Sequence, residues 1–149
     1  MLEIPVPGSE SLILEHLVLD YNGTLAMDGE LIQPCVPILN ELTPFLSIHV
    51  LTADTHGTVQ EKITHLPCSL QVIGPVDQDQ EKLNFISNLN KKRVIAIGNG
   101  RNDLLMLKKA ALGIGLIQQE GGFAQTLLHA DIICGNIVDA LSLLTNRNR

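Results

Sequence analysis

Apolar residues in this chain fall into short runs, and the runs alternate between two periods. Leu17-Val18-Leu19 is an unbroken apolar run that stops at Asp20 and passes into Asn22-Gly23. It predicts a buried strand that ends in a carboxylate and a sharp turn. Comparable runs predict strands over 47–51, 69–73, 93–97, 112–117 and 132–134. Between them, apolar positions recur every three or four residues. Val36, Leu39, Leu42 and Leu46 predict a helix over 34–45 with Pro34 and Pro37 in its first turn. Leu83, Ile86 and Leu89 predict another over 77–90. Shorter helices are expected over 59–66, opened by Thr55-His56-Gly57-Thr58, and over 102–111, 123–130 and 137–144.

Two further pieces sit outside that alternation. Residues 2–6 and 11–14 are β-prone but carry Pro5, Pro7 and Gly8, which confine them to an edge or a small hairpin. Residues 25–32 form two short arms around Asp28-Gly29, a strong hairpin signal. Strand and helix otherwise alternate with short connections. That order requires crossovers, hence a central parallel sheet with helices on both faces, in a three-layer αβα, Rossmann-like arrangement. Neither repeat nor linker divides the chain, so residues 1–149 read as one domain.

Composition narrows the chemistry. A chain of 149 residues is long enough for one core, burying about 70% of its unfolded surface. With three Phe, one Tyr and no Trp, that core is built from Leu, Ile, Val and Ala, the usual filling of a covered parallel sheet. A formal charge of −6, with only short basic clusters at Lys91-Lys92-Arg93, Lys108-Lys109 and 147–149, argues against nucleic acid as a partner. Cys35, Cys68 and Cys134 are far apart and odd in number, which fits a reducing cytoplasm and neither a disulfide framework nor a zinc site. Residues 1–8 lack a basic start before an apolar stretch, and no run reaches membrane-spanning length, so a soluble cytoplasmic protein is expected. The histidines show no ligand spacing; His56 alone falls near the strand ends of interest. Asp54 and Asp79 read as surface residues.

Four features fall at or near the carboxyl ends of successive predicted strands, the edge where open α/β sheets bind ligands. They are Asp20, Thr52, Lys82 and the block Gly98-Asn99-Gly100-Arg101-Asn102-Asp103. Each alone has a plain structural explanation. Asn22-Gly23 suits a turn, Thr52 a strand end, Asn102 and Asp103 a helix cap, and Gly121-Gly122 either a helix start near the site or a turn. Lys82 has Lys62 as an alternative. Together and in this order, Asp20-Tyr21-Asn22-Gly23-Thr24 and Gly98 to Asp103 resemble the haloacid dehalogenase superfamily, whose motifs are Asp-x-Asp-Gly-Thr and Gly-Asp-Gly-x-Asn-Asp. The likeness runs from about residue 17 to the closing helix, and the form is similar to small proteins called soluble P-type ATPases.

The resemblance implies a phosphohydrolase or phosphotransferase with Asp20 as nucleophile, Mg²⁺ as cofactor and a small phosphorylated substrate. It implies catalytic roles for Asp20, Asn22, Thr52 and Lys82, and phosphate binding by Thr52, Ala53, Lys82 and Gly23. Metal binding is implied for Asp20, Asn22 through its carbonyl, Asn99 and Asp103. It makes the 25–32 hairpin a flap over the site. No segment is left for a cap domain, so the resemblance to capless members implies a homo-oligomer, a tetramer or dimer, whose neighbouring subunit shields the site.

Two positions depart from the pattern. In the superfamily's phosphatases the residue matching Asn22 is the general acid and base, and an amide cannot titrate. That loss typically costs about 10²–10⁴-fold in rate and is least harmful when the leaving group is already acidic, so ATP or acyl phosphates are expected to be favoured. Asn99 stands where a charged metal ligand is usual. The rival reading is a weakened phosphate-binding or regulatory module.

Overall fold

The computed structural model describes residues 1–54 and 57–146. The expectations placed on His56, on the Thr55-His56 helix opening and on the tail 147–149 lie outside the described residues. Chain order begins with β1 (Leu2–Ile4) and β2 (Leu12–Leu14), an antiparallel pair separate from the main sheet. Next come β3 (His16–Asp20), β4 (Ala26–Met27) and β5 (Glu30–Leu31), α1 (Cys35–Leu42), β6 (Ser47–Thr52), α2 (Thr58–Ile63) and β7 (Ser69–Val72). The second half is α3 (Gln78–Asn88), β8 (Val94–Gly98), α4 (Leu104–Lys109), β9 (Leu112–Leu116), α5 (Ala124–His129), β10 (Ile132–Cys134) and α6 (Ile137–Thr145). Among the described residues no helix is long and apolar enough to cross a membrane.

Every pairing in the six-stranded sheet is parallel, in the order β10-β9-β8-β3-β6-β7. The chain moves outward from β3 through β6 to β7, then returns to lay β8 on the other side of β3. Strand β3 is therefore the point where the winding reverses, and its carboxyl end opens a crevice between the loops on either side. In register, Leu19 lies opposite Ile97 of β8 and Asp20 opposite Leu51 of β6.

Side chains alternate across the sheet, and each face has its own core. Leu17 and Leu19 pack with Ile48, Val50, Ile95 and Ile97 beneath α1, α2 and α6. Val18 and Leu51 pack with Ala96 on the opposite side, against Ile86 of α3 and Met106 and Leu107 of α4. Asp20 is two residues beyond Val18, so it points to the α3–α4 side. The parallel register also brings His16 and His49, 33 positions apart, to 3.1 Å between ring nitrogens at the opposite sheet edge.

The hairpin β4–β5 turns at Asp28 and Gly29, with φ of 50° and 81°, as a two-residue turn with both central residues left-handed requires. The helices expected over 34–45, 59–66, 77–90, 102–111 and 123–130 are all shorter than their apolar periodicity suggests. The 102–111 helix begins with a 3-10 turn over Arg101–Asp103 before α4, and the Asn102 side chain does not cap it. Instead Asn102 donates to Gln78 Oε1 at 2.7 Å. Gly121, with φ of 75°, belongs to a turn before α5 rather than to its start.

Helix α4 lies so close to β9 that a side chain at Gly113 would strike the Leu107 carbonyl and Cα. Backbone cannot rotate away as a side-chain end can. Gly113→Ala is therefore expected to destabilise the fold by about 1–3 kcal/mol, read as a lower urea midpoint. A midpoint equal to the native chain's would contradict the close seating of α4.

Candidate functional site

The crevice at the end of β3 is a cavity of about 450 Å³ bordered by Asp20, Asn22, Thr52, Ala53, Lys82 and Asn99, with Asp54, Gln78, Gly100 and Asn102 at its margins. Each side chain arrives for a local reason. Asp20 ends β3 on the α3–α4 face, and Lys82, in the second turn of α3, reaches toward it from that helix. Lys82 Nζ donates to Asp20 Oδ1 at 2.8 Å and to Asp103 Oδ1 at 2.6 Å. Asp103 Oδ2 accepts from the backbone amides of Asn99 and Gly100, each at 3.0 Å. Gly98 makes room for this carboxylate, because any side chain there would collide with it.

This cluster is nearly dry. Lys82 is 1% exposed, Asp103 0% and Asp20 8%. Burial works against the Lys82 charge, but the Asp103 and Asp20 carboxylates outweigh it and hold the ammonium above its ordinary value. Two carboxylates share that one cation. Asp103 has two backbone amides as well, whereas Asp20 has, beyond Lys82, a backbone hydrogen bond at Tyr21 and a long 3.5 Å contact from Thr24 Oγ1. Burial first, and the Asp103 charge second, overcome the Lys82 attraction and push the Asp20 carboxyl up to about 7.

The sequence reading of Asp103 as a metal donor meets a geometric obstacle here. Both its oxygens are committed to Lys82 and backbone amides, and it does not border the cavity. Gly23 also stands back from the cavity, and its amide donates to the Ala26 carbonyl at 2.8 Å. Gly23 serves by its shape. Its φ is +79°, and an added Cβ would lie 2.5 Å from Asn99 Nδ2. The Asp20–Gly23 turn and the Asn99 block are thus in direct contact. Asn99 Nδ2 donates to the Gly121 carbonyl at 3.0 Å, a bond that an aspartate could not make.

Thr52 Oγ1 accepts from the Asp54 amide at 3.1 Å, which leaves the hydroxyl proton for another acceptor. Lys62 stands apart from this cluster: it pairs with Glu30 of the hairpin at 2.7 Å, both partly exposed. Of the two lysines, Lys82 is the one that stands beside Asp20.

Two residues escaped the sequence reading. Asp54, a surface residue by its sequence, is half-buried at the cavity margin, and its Oδ2 accepts from the Val59 amide at 3.0 Å at the start of α2. Its place two residues after a strand-end threonine was the available signal. Gln118 donates to the Gly23 and Thr24 carbonyls at 2.9 and 3.1 Å and accepts from the Ile137 amide at 2.8 Å. Nothing in its local sequence marks that clamp.

A family model for haloacid dehalogenase-like hydrolases matches residues 80–122, the span that carries Lys82 and the block ending at Asp103. An uncharacterised protein of Methanocaldococcus jannaschii is 50% identical over 72 residues, 46% of this chain and 77% of that protein. A phospholipid-transporting ATPase of Saccharomyces cerevisiae is 27% identical over 118 residues, which is 79% of this chain and 9% of the ATPase. The fold is similar to that of 3-deoxy-D-manno-octulosonate 8-phosphate phosphatase from Moraxella catarrhalis, crystallised with magnesium, phosphate and the sugar acid. The TM-score is 0.75 at 17% identity, over 90% of this chain and 87% of that one.

The Asp20 carboxyl has a measurable signature. Its folded value near 7 lies above the ordinary 3.8, so the folded protein takes up a proton that the unfolded chain does not. Stability then rises as pH falls from 8 toward 5 and is lost as pH rises through 7. In chelator-containing buffer, the native chain should gain on the order of 1–2 kcal/mol between pH 8 and 5.5 relative to Asp20→Asn. Parallel urea-midpoint profiles for the two proteins would refute the assignment.

Proposed function

Because this chain belongs to the haloacid dehalogenase-like hydrolases, we propose that it is a Mg²⁺-dependent phosphohydrolase or phosphotransferase that works through an aspartyl-phosphate on Asp20. The observation that carries this reading is the Lys82 ammonium buried between Asp20 and Asp103 at the mouth of the sheet crevice. Such a charge, fixed in a dry place, stabilises the negative charge of a transferring phosphoryl group and needs no reorganisation to do so.

Asp20 Oδ2 forms the new bond to phosphorus while the bond to the leaving oxygen breaks, and the electron pair departs with the leaving group. Water then attacks the aspartyl-phosphate, restoring the carboxylate and releasing phosphate. Thr52 gives its hydroxyl proton to a phosphate oxygen, and Ala53 borders the same oxygens. Asp103 acts at one remove, holding Lys82 in place. The donors at the cavity, the Asp20 carboxylate, the Asn22 carbonyl and the Asn99 amide oxygen, are hard oxygens of the kind Mg²⁺ takes, completed by water and substrate phosphate. They fit the ion and would hold it. When bound, it supplies the positive charge that lets a carboxylate approach a phosphate. With Asn99 neutral, that binding is weaker than an aspartate would give.

Asn22 cannot protonate a leaving group or activate water, so the enzyme is slow and favours donors with acidic leaving groups, ATP or acyl phosphates, over alkyl phosphomonoesters. The same two asparagines favour the second reading, a phosphate-binding regulatory module. Free thiols at Cys35, Cys68 and Cys134 suit a cytoplasmic protein.

Incubation with Mg²⁺ and acetyl phosphate, ATP or p-nitrophenyl phosphate separates the two readings. Turnover by the native chain and its loss in Asp20→Asn support the enzyme; indistinguishable rates favour the binding module. Asn22→Asp restores a titrating group and should raise hydrolysis of alkyl phosphomonoesters by about 10²-fold. With only a short hairpin beside the site, a neighbouring subunit completes it, so light scattering should report a dimer or tetramer rather than an active monomer.

A further inference from the structure

A second, smaller chamber of about 210 Å³ adjoins the phosphate cavity and shares Asn22 and Asp54 with it. Its remaining wall comes from Tyr21, Gly29 of the hairpin, and Thr58, Val59 and Lys62 of α2. The shared residue Asn22 stands at the position where the superfamily's phosphatases carry the acid that protonates the leaving group. We propose that this chamber receives the leaving group and that Lys62 selects leaving groups carrying a negative charge of their own, a carboxylate or a second phosphate. The inference rests on the aspartyl-phosphate reading of the larger cavity.

Charge and size support it. Lys62 is the one cationic side chain on the chamber wall among the described residues. Asp54, the acidic residue there, has Oδ2 turned to the Thr58 hydroxyl and the Val59 amide. Lys62 is held by Glu30 at 2.7 Å, but the two side chains are 40% and 74% exposed. An exposed pair of this kind is worth about 0–1 kcal/mol, so a substrate anion can take the place of the Glu30 carboxylate at little cost. The chamber lies below the range of about 300–1,000 Å³ that holds drug-sized ligands. It suits a group of a few heavy atoms, with anything larger projecting into solvent.

Matched substrates test this with Mg²⁺ present. The pairs are 3-phosphoglycerate against glycerol 3-phosphate, and 1,3-propanediol bisphosphate against 3-hydroxypropyl phosphate; the first reads a carboxylate, the second a phosphate. The native chain should prefer the anionic member in kcat/KM by about tenfold, the scale of a hydrogen bond to a charged group. Lys62→Met should reduce that ratio to near one, Lys62→Arg should keep it, and Glu30→Gln should raise it about twofold by removing the competing carboxylate. An unchanged ratio in Lys62→Met, with turnover still dependent on Asp20, overturns this inference and leaves the aspartyl-phosphate reading intact. Absence of Asp20-dependent turnover on every substrate overturns both. Lys62 is exposed, and coincident urea midpoints for these variants establish that the ratio reports binding rather than misfolding.

Discussion

The Lys82 ammonium, held in a dry place by two carboxylates, is the interaction on which the rest of the site depends. A buried charge is tolerated only when paired and hydrogen-bonded, and removing one partner of such a group typically costs about 3–5 kcal/mol. Here the partners come from three separate stretches of chain: Asp20 ends β3, Lys82 lies on α3, and Asp103 leads into α4. The triad therefore ties β3 to two helices of one sheet face. It is also imbalanced, two carboxylates to one cation, and burial together with the Asp103 charge raises the Asp20 carboxyl. An incoming cation relieves that imbalance. A bare phosphate would worsen it.

The glycines and the register make the imbalance possible. Alternation along β3 sends Asp20 to the same side as Val18, while Gly98 at the end of β8 leaves a hollow for the Asp103 carboxylate. Gly23 then lets Asn99 approach the turn that follows Asp20. These are steric permissions given by missing side chains, and each is specific to a neighbouring polar group. The hydrophobic core on either side of the sheet supplies stability, but the absence of Cβ atoms at the strand ends supplies the site.

Much of this was legible in the sequence because it is local. The run 17–19 stopping at Asp20 announces its strand, Asp28-Gly29 its hairpin, and Leu83 and Ile86 the buried side of α3. What escaped was long-range. Periodicity cannot reveal that Asp103 turns inward to Lys82 and away from the cavity, that Asn102 bonds Gln78 instead of capping its helix, or that Gln118 reaches back 95 positions to the Gly23 carbonyl. Asp54 was missed for a similar reason: an exposed-type residue in a loop is read as surface until its strand end is known to face a crevice.

Asparagine followed by glycine is the context in which a side-chain amide is lost most readily, since the glycine's backbone nitrogen can attack the amide carbon and close a succinimide ring. Both departures from the family pattern, Asn22-Gly23 and Asn99-Gly100, have that form. The fold occupies both attacking nitrogens: Gly23 N–H donates to the Ala26 carbonyl and Gly100 N–H to Asp103 Oδ2. Ring closure would require breaking the turn at the first site and the carboxylate cradle at the second. The hydrogen bonds that shape the crevice thus also oppose ring closure at its two neutral amides.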